Sequence, residues 1–424
     1  MATYPMLGAP TLSNRTLYLT RGKISSGRAF FWFVVLTTAI AGAGRPSVLG
    51  FRLTGWMWML AIGLSALCLL SPLRPQRLTF PILWFLPFIL YMAWRTDFGD
   101  REDVQRLGIF LTPLFVGAAA SSFPMTNLAE LRKTYYFLLV AATVTYAVAA
   151  AQSGSRLAMT EWYIPAGACM TFTICAVAGI VDAGRGQRLG YAAVAIAALV
   201  CILSESRMPV LVIPLLFILG PTKLRIWKRV ALGAIVIIGG LAFFYSGPVQ
   251  ENLFRAGKGS IADALSMDPH KLKTGGRLTA WPLYIEGMKD IWFGAGGTGS
   301  ADFGNKTFGE GKWSHPHNEY IRLVFDYGII GGLLFLIPLL TLFVLTCRRA
   351  YTTSDELQWA YFVSAVGLLA MFLLAVTGNV LMYVSYFGNM LFATIGISLA
   401  VYDLEKAKSK AVPGLAFTPG RRPW

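Results

Sequence analysis

The chain has 424 residues, of which 55% are apolar and 14% charged, against about 45–50% and about 25% in soluble domains. The apolar excess is segmental, with long runs separated by short polar clusters, which excludes an ordinary soluble globular domain. The net charge of +16 collects at the ends of those runs, as topology requires of a membrane protein, and this distribution excludes nucleic acid as a partner.

Twelve apolar runs are predicted as membrane-spanning helices, at about 27–43, 54–71, 79–94, 105–123, 133–151, 163–181, 189–204, 208–221, 229–245, 318–346, 357–375 and 379–402. A run of about 18 or more apolar residues can cross a hydrocarbon core as a helix. The first run follows basic residues and contains Ala39-Ile40-Ala41, which mimics a cleavable signal. Its long leading segment and the runs that follow favour an uncleaved helix. The seventh and eighth runs form a hairpin around Ser204-Glu205-Ser206-Arg207.

The polar segments alternate between Lys/Arg-rich and Lys/Arg-poor. The rich ones hold Arg21, Lys23, Arg132, Lys133, Arg185, Arg188, Lys223, Arg225, Arg348, Arg349, Lys406 and Lys408. The bias places both termini in the cytoplasm and the long segment before the tenth run outside. The expected organisation is a tail at 1–27, helices 1–9 at 28–245, a large external loop with short helices at 246–317, helices 10–12 at 318–402 and a tail at 403–424. Cys68, Cys169, Cys175, Cys201 and Cys347 lie in or beside apolar runs, as small buried residues do.

The spans are nearly free of charge, which points away from an ion or substrate path through the bundle. Polar residues gather at the outer face. The densest group is His315-Pro316-His317-Asn318-Glu319-Tyr320, continuing to Arg322, Asp326, Gly328, Gly331 and Gly332. His317 is expected just before the tenth helix. Gly328 and Gly331 would share a helix face and admit a neighbouring helix closely. A turn preceding a helix would not aim His315, His317 and Glu319 at one ion, so no metal site is expected.

Arg207 stands at the outer end of the seventh–eighth hairpin, where it can reach an anionic group at headgroup depth or a lipid phosphate. Arg277 opens a stretch in which Trp281, Ile285 and Met288 follow helical spacing. Gly294-Ala295-Gly296-Gly297-Thr298-Gly299 satisfies G-x-G-x-x-G literally. It has neither the strand nor the βαβ context of a nucleotide site, so a turn bringing backbone close to a ligand or helix is expected. Glu286, Asp290, Asp302 and Glu310 have no signature spacing and read as solvated loop charges.

These residues together resemble the O-antigen ligase superfamily of bacterial lipopolysaccharide assembly, which also includes polymerases and protein O-oligosaccharyltransferases. The resemblance rests on R-x3-L, here Arg207 to Leu211, and on H-[NSQ]-x9-G-x-x-[GTY], here His317, Asn318, Gly328 and Gly331. The Arg277–Trp281–Gly296 stretch and the long loop before the histidine helix extend it over nearly the whole chain.

The resemblance implies an all-α, GT-C-like enzyme of the bacterial inner membrane with a site open to the periplasm. It implies transfer of a glycan from undecaprenyl pyrophosphate to a lipid A-core hydroxyl, with inversion and without metal or cofactor. A polymerase or a protein glycosyltransferase are the alternatives within the family, and a transporter is the alternative outside it. His317 is then the expected base. Arg207 and Arg277 are expected to hold the pyrophosphate, with His315 and Trp281 in support. Asn318 would orient His317, and Arg322 would hold acceptor phosphates.

Overall fold

The structure is a computed structural model that describes residues 26–42, 47–48, 51–72, 77–152, 168–203, 207–220, most of 245–272, 277–309, 315–353 and 355–411. The expected ninth span, the Ser204-Glu205-Ser206 turn, the side chain of Arg207 and the segments before 26 and after 411 lie outside the described residues.

The described chain is helical apart from one hairpin of two-residue strands, β1 (Ser47–Val48) and β2 (Phe51–Arg52). The first helices are α1 (Ser26–Gly42), α2 (Leu53–Leu70), α3 (Leu86–Arg95), α4 (Arg101–Ser122) and α5 (Leu128–Gln152). Three more, α6 (Ala168–Gly184), α7 (Arg188–Leu203) and α8 (Arg207–Leu219), complete the first half. Short helices α9 (Ile261–Leu265), α10 (Arg277–Glu286) and α11 (Gly299–Phe308) occupy the long loop. The chain closes with α12 (Glu319–Thr352), α13 (Asp355–Ala375) and α14 (Gly388–Ala411).

Among the described residues, four helices, α2, α4, α12 and α13, are long and apolar enough to cross a membrane, and shorter apolar helices accompany them. A helix satisfies its own backbone groups, which is the condition for sitting in hydrocarbon.

Every residue of α6 is buried, so it forms the axis of the bundle. Small residues allow close approach around it. A Cβ on Gly190 of α7 would meet the backbone of Gly179 and Ala183 on α6, and one on Gly396 of α14 would meet the carbonyl of Gly117 on α4.

One end of the bundle is tied by charge. Arg132 pairs with Asp182 at 2.9 Å and with Glu356 at 3.5 Å, and Arg185 pairs with Glu356 at 3.7 Å. Arg185 also donates to the carbonyl of Asp355 at 2.5 Å. The α6–α7 turn and the α12–α13 turn therefore share this end, and His317 stands at the other.

Two expectations change. The last helix begins at Gly388, not near 379, because 379–387 folds into turns closed by Met382 N–H and Tyr383 N–H on the Asn379 carbonyl. The helix after His317 is not continuous either. It breaks at Gly328, where φ is 66° and ψ is −179°, a conformation open essentially to glycine alone.

Candidate active site around His317

The helix after His317 starts where it does because Asn318 caps it. Its side-chain oxygen accepts from the N–H groups of Tyr320 and Ile321 at 3.0 and 3.1 Å. Amide and hydroxyl side chains at this position satisfy otherwise unpaired donors. His317 directly before the cap takes a left-handed backbone with φ 52°. The ring of His315 lies edge-on to that of His317, with centroids 5.6 Å apart.

Two long-range contacts hold the histidine turn. Trp281 of α10 donates its indole N–H to the carbonyl of Pro316 at 2.7 Å. The amide nitrogen of Asn379 lies 3.1 Å from Nδ1 of His317. Burial, with the charge of nearby Arg277 added, lowers the pKa of His317 from its ordinary value to about 4. The imidazole is therefore neutral at physiological pH and able to accept a proton. Arg277 begins α10, so the Trp281 bond and the electrostatic contact both bring α10 to the histidine.

Arg207 begins α8, and its position follows from packing. Gly220, just past the far end of α8, lies against Ile180 near the charged end of α6. The opposite end of α6 meets the 379–387 turns, where Thr171 donates to the carbonyl of Tyr386 at 3.1 Å. The start of α8 is thus at the same end of the bundle as His317.

Asn318 serves the helix cap, and its expected contact with His317 is made by Asn379, 62 residues on. Arg322 is only 3% exposed and pairs with Glu319 at 2.7 Å, so it does not present itself to an acceptor phosphate. Glu319 in turn accepts from the backbone N–H groups of Leu381 and Met382 at 3.1 and 3.3 Å. The packed face of α10 is Ala280 and Tyr284, while Ile285 is 57% exposed. Tyr284 wins that face because Phe303, Phe308 and Phe325 surround its ring.

Gly328 does not lie on an unbroken packing face. The loop inserts its backbone into the break there. Ile329 and Ile330 donate to the carbonyls of Ile291 and Trp292, and Ala295 and Gly296 donate to the carbonyls of Phe325 and Asp326. A Cβ at Gly328 would collide with the backbone of Trp292 and Phe293. Gly331, one turn later, faces the ring of Tyr91 on α3. The glycine-rich turn is thus used against a helix, with Gly294 and Gly296 at positive φ.

Charged side chains lock this junction. Arg106 of α4 donates to the carbonyl of Gly297 and pairs with Asp326 at 3.3 Å. Asp326 also accepts from Ser300 N–H at 2.7 Å and from its hydroxyl at 3.1 Å. Arg95 donates to the carbonyl of Gly294 at 2.6 Å. Charges are buried at both ends of the bundle, paired with one another and with backbone, which is how a low-dielectric interior tolerates them. Among the described residues no group of three His, Cys, Asp or Glu side chains converges as metal ligands would.

Fold and site together define a multi-pass membrane protein with a half-buried histidine at one end of its helix bundle. Residues 192–336 match the model of a family described as O-antigen ligase. The match covers about a third of the chain, and over that stretch the chain is similar to the family. The matched stretch contains Arg207, Arg277, Trp281, His317, Asn318, Gly328 and Gly331. No curated protein matches the chain significantly.

Proposed function

We propose that the protein is an O-antigen ligase. It moves a glycan from undecaprenyl pyrophosphate to a hydroxyl of the lipid A-core, at the periplasmic face of the bacterial inner membrane. The observation that carries the reading is the joint fixing of His317 by Trp281–Pro316 and by Asn379, with the Arg277 charge beside it.

In this mechanism neutral His317 takes the proton of the acceptor hydroxyl. The oxygen attacks the anomeric carbon, and the bond to the pyrophosphate oxygen breaks with its electron pair. Configuration inverts because there is a single displacement. Guanidinium groups hold phosphate oxygens in bidentate fashion and stay charged at all relevant pH. Arg277 and Arg207 hold the departing pyrophosphate, which leaves without protonation. Stabilising charge as it develops is commonly the largest catalytic contribution.

Donor binding also tunes the base. Arg277 disfavours the imidazolium in the empty site. A bound pyrophosphate brings negative charge to the same place and raises the basicity of His317 when the acceptor is to be deprotonated.

Charged pairs buried between helices would favour transport if they lined a through path. Arg106–Asp326 and Arg322–Glu319 instead bind the loop and the 379–382 turn, so transfer is the better reading. The test is purified protein in lipid nanodiscs, given a polyprenyl-pyrophosphate-linked glycan and a lipid A-core acceptor. Glycan on the acceptor supports the ligase. Elongation on the carrier alone indicates a polymerase, glycan on a serine or threonine indicates a protein glycosyltransferase, and no transfer to any of them overturns the reading.

A further inference from the structure

The turn between α10 and α11 exposes Ile291, Trp292 and Phe293 next to one another, Trp292 by 59%. Contiguous exposed apolar side chains mark a contact surface. The backbone of the same residues is fully engaged. The carbonyls of Ile291 and Trp292 accept from the N–H groups of Ile329 and Ile330 at 2.8 and 3.2 Å. The carbonyl of Phe293 accepts from the Tyr91 hydroxyl at 2.9 Å, and that of Gly294 from Arg95 at 2.6 Å. The N–H groups of Trp292 and Phe293 both donate to the Asp290 carboxylate at 3.0 Å, and Gly294 N–H donates to the Asp290 carbonyl at 2.9 Å. A loop in water can leave such groups to solvent. Non-helical backbone at membrane depth must have them satisfied by protein, and every carbonyl from 291 to 294 is.

Two helices give the depth of this turn independently. Ile329 and Ile330 head the unbroken, uncharged part of α12, which runs to Cys347 before Arg348. At about 1.5 Å per residue it rises roughly 28 Å, close to the hydrocarbon core of about 30 Å. Its exposed face is Leu333, Ile337, Leu340 and Val344, at helical spacing. On α3 the exposed face is Leu86, Leu90 and Trp94, and Arg95 follows at once. The residues at which both apolar faces stop, Ile329–Ile330 and Arg95, are the ones that bind the turn. Tyr91 ties the two features together, because its ring lies edge-on to Trp94 at 5.8 Å while its hydroxyl holds Phe293.

We infer that Ile291, Trp292 and Phe293, with Trp94 beside them, form an anchor seated in the lipid leaflet at the His317 end of the bundle, where headgroups meet acyl chains. Indole rings favour that depth, and the exposed charges of Lys289 and Asp290 directly precede the apolar residues. Lipid is the partner because the patch continues the apolar faces of α3 and α12 that a bilayer covers. The anchor fixes the loop in height: lifting it from the bundle would draw three apolar side chains out of lipid, which is unfavourable in proportion to their area. The inference rests on the membrane reading of the helices and not on the glycan-transfer reading.

The test uses full-length protein in nanodiscs. Benzoylphenylalanine, a photoreactive residue, replaces Trp292, and the product of irradiation is identified by mass spectrometry. A phospholipid adduct is expected. In parallel, nitroxide groups placed near the headgroup or near the end of the acyl chain quench tryptophan fluorescence, and the part of the emission lost in Trp292→Phe belongs to Trp292. That part is expected to fall more with the shallow nitroxide than with the deep one. Absence of a lipid adduct, a crosslink to a second copy of the chain, stronger quenching by the deep nitroxide, or no quenching by either overturns the inference. Neither readout involves transfer, so a protein that contacts lipid here but moves no glycan overturns only the transferase reading.

Discussion

The indole of Trp281 donates to the carbonyl of Pro316 across 2.7 Å, so the helix that begins with Arg277 is fastened one residue away from His317. Arg277 and His317, 40 residues apart in the chain, are thereby linked through one indole–carbonyl hydrogen bond.

Removing that donor tests the fastening. Trp281→Phe keeps the ring and loses one hydrogen bond, with a net value of about 0.5–1.5 kcal/mol. Transfer is expected to fall by about threefold to tenfold, with membrane insertion and thermal midpoint near wild type. Steady-state transfer kinetics in nanodiscs check this, and wild-type rates would show that the bond does not position Arg277.

The pH dependence has a definite sign. As the proposed base, His317 would work in its neutral form, so activity is expected to rise as pH climbs through its pKa. The free protein holds that pKa at about 4, and kcat/KM reports the free enzyme whereas kcat reports the complex. The acid limb of kcat/KM is expected well below the ordinary histidine range. The limb of kcat is expected at higher pH, because bound pyrophosphate offsets Arg277. Arg277→Gln should move the kcat/KM limb upward only partly, since burial is the larger cause of the depression. Coincident limbs for kcat and kcat/KM would contradict tuning by the donor.

Substitution of the reactive groups separates their roles. His317→Ala is expected to insert normally and to lose transfer, by about 10²–10⁴-fold for a placed base. Arg207→Ala and Arg277→Ala are expected to lose donor turnover, and the lysine variants to keep part of it, because ammonium lacks the planar two-point fit to phosphate. A radiolabelled donor consumption assay reads both. Normal turnover in the two alanine variants would remove the arginines from the mechanism.

Gly328 is expected to resist substitution for a backbone reason. Its φ and ψ of 66° and −179° cost a residue with a side chain about 1–3 kcal/mol, and a methyl group would press on the inserted loop backbone. Gly328→Ala should lower the thermal midpoint and speed protease cleavage within 288–308. Gly331→Ala, where a methyl group would meet the side chains of Tyr327 and Tyr91 and not the inserted loop backbone, should disturb the loop less. Equal effects of the two would argue against the inserted-loop account.

Breaking the Arg106–Asp326 pair should cost more. Arg106→Ala leaves the buried Asp326 carboxylate with its Ser300 hydrogen bonds and the Arg322 charge but without its ion pair, and loss of one member of a buried pair commonly costs about 3–5 kcal/mol. Reduced folded yield in detergent, measured by fluorescence-detected size exclusion, is the expected result. Wild-type yield would show that the loop is held by its backbone bonds alone.

Much of this protein is written locally in its sequence. Apolar runs determine the helices because only a self-satisfied backbone suits hydrocarbon; α1, α2, α7 and α8 follow their runs within two residues, whereas α3 begins at Leu86, seven residues into the run expected from 79. The His317–Asn318 step likewise marks a helix start, since an amide at the cap competes for the first N–H groups. Tertiary structure decided the rest. Asn379 looked like the first residue of an apolar span, and Gly328 like one small residue on a helix face. Their real work, meeting His317 and admitting the loop backbone, depends on partners 62 and 36 residues distant. Periodicity reports which face of a segment is apolar, not which distant segment will bring a hydrogen-bonding group or a carbonyl to it. The buried pairs Arg106–Asp326 and Glu319–Arg322 belong to the same category, because a charge becomes tolerable inside a bundle only once folding supplies its counterpart.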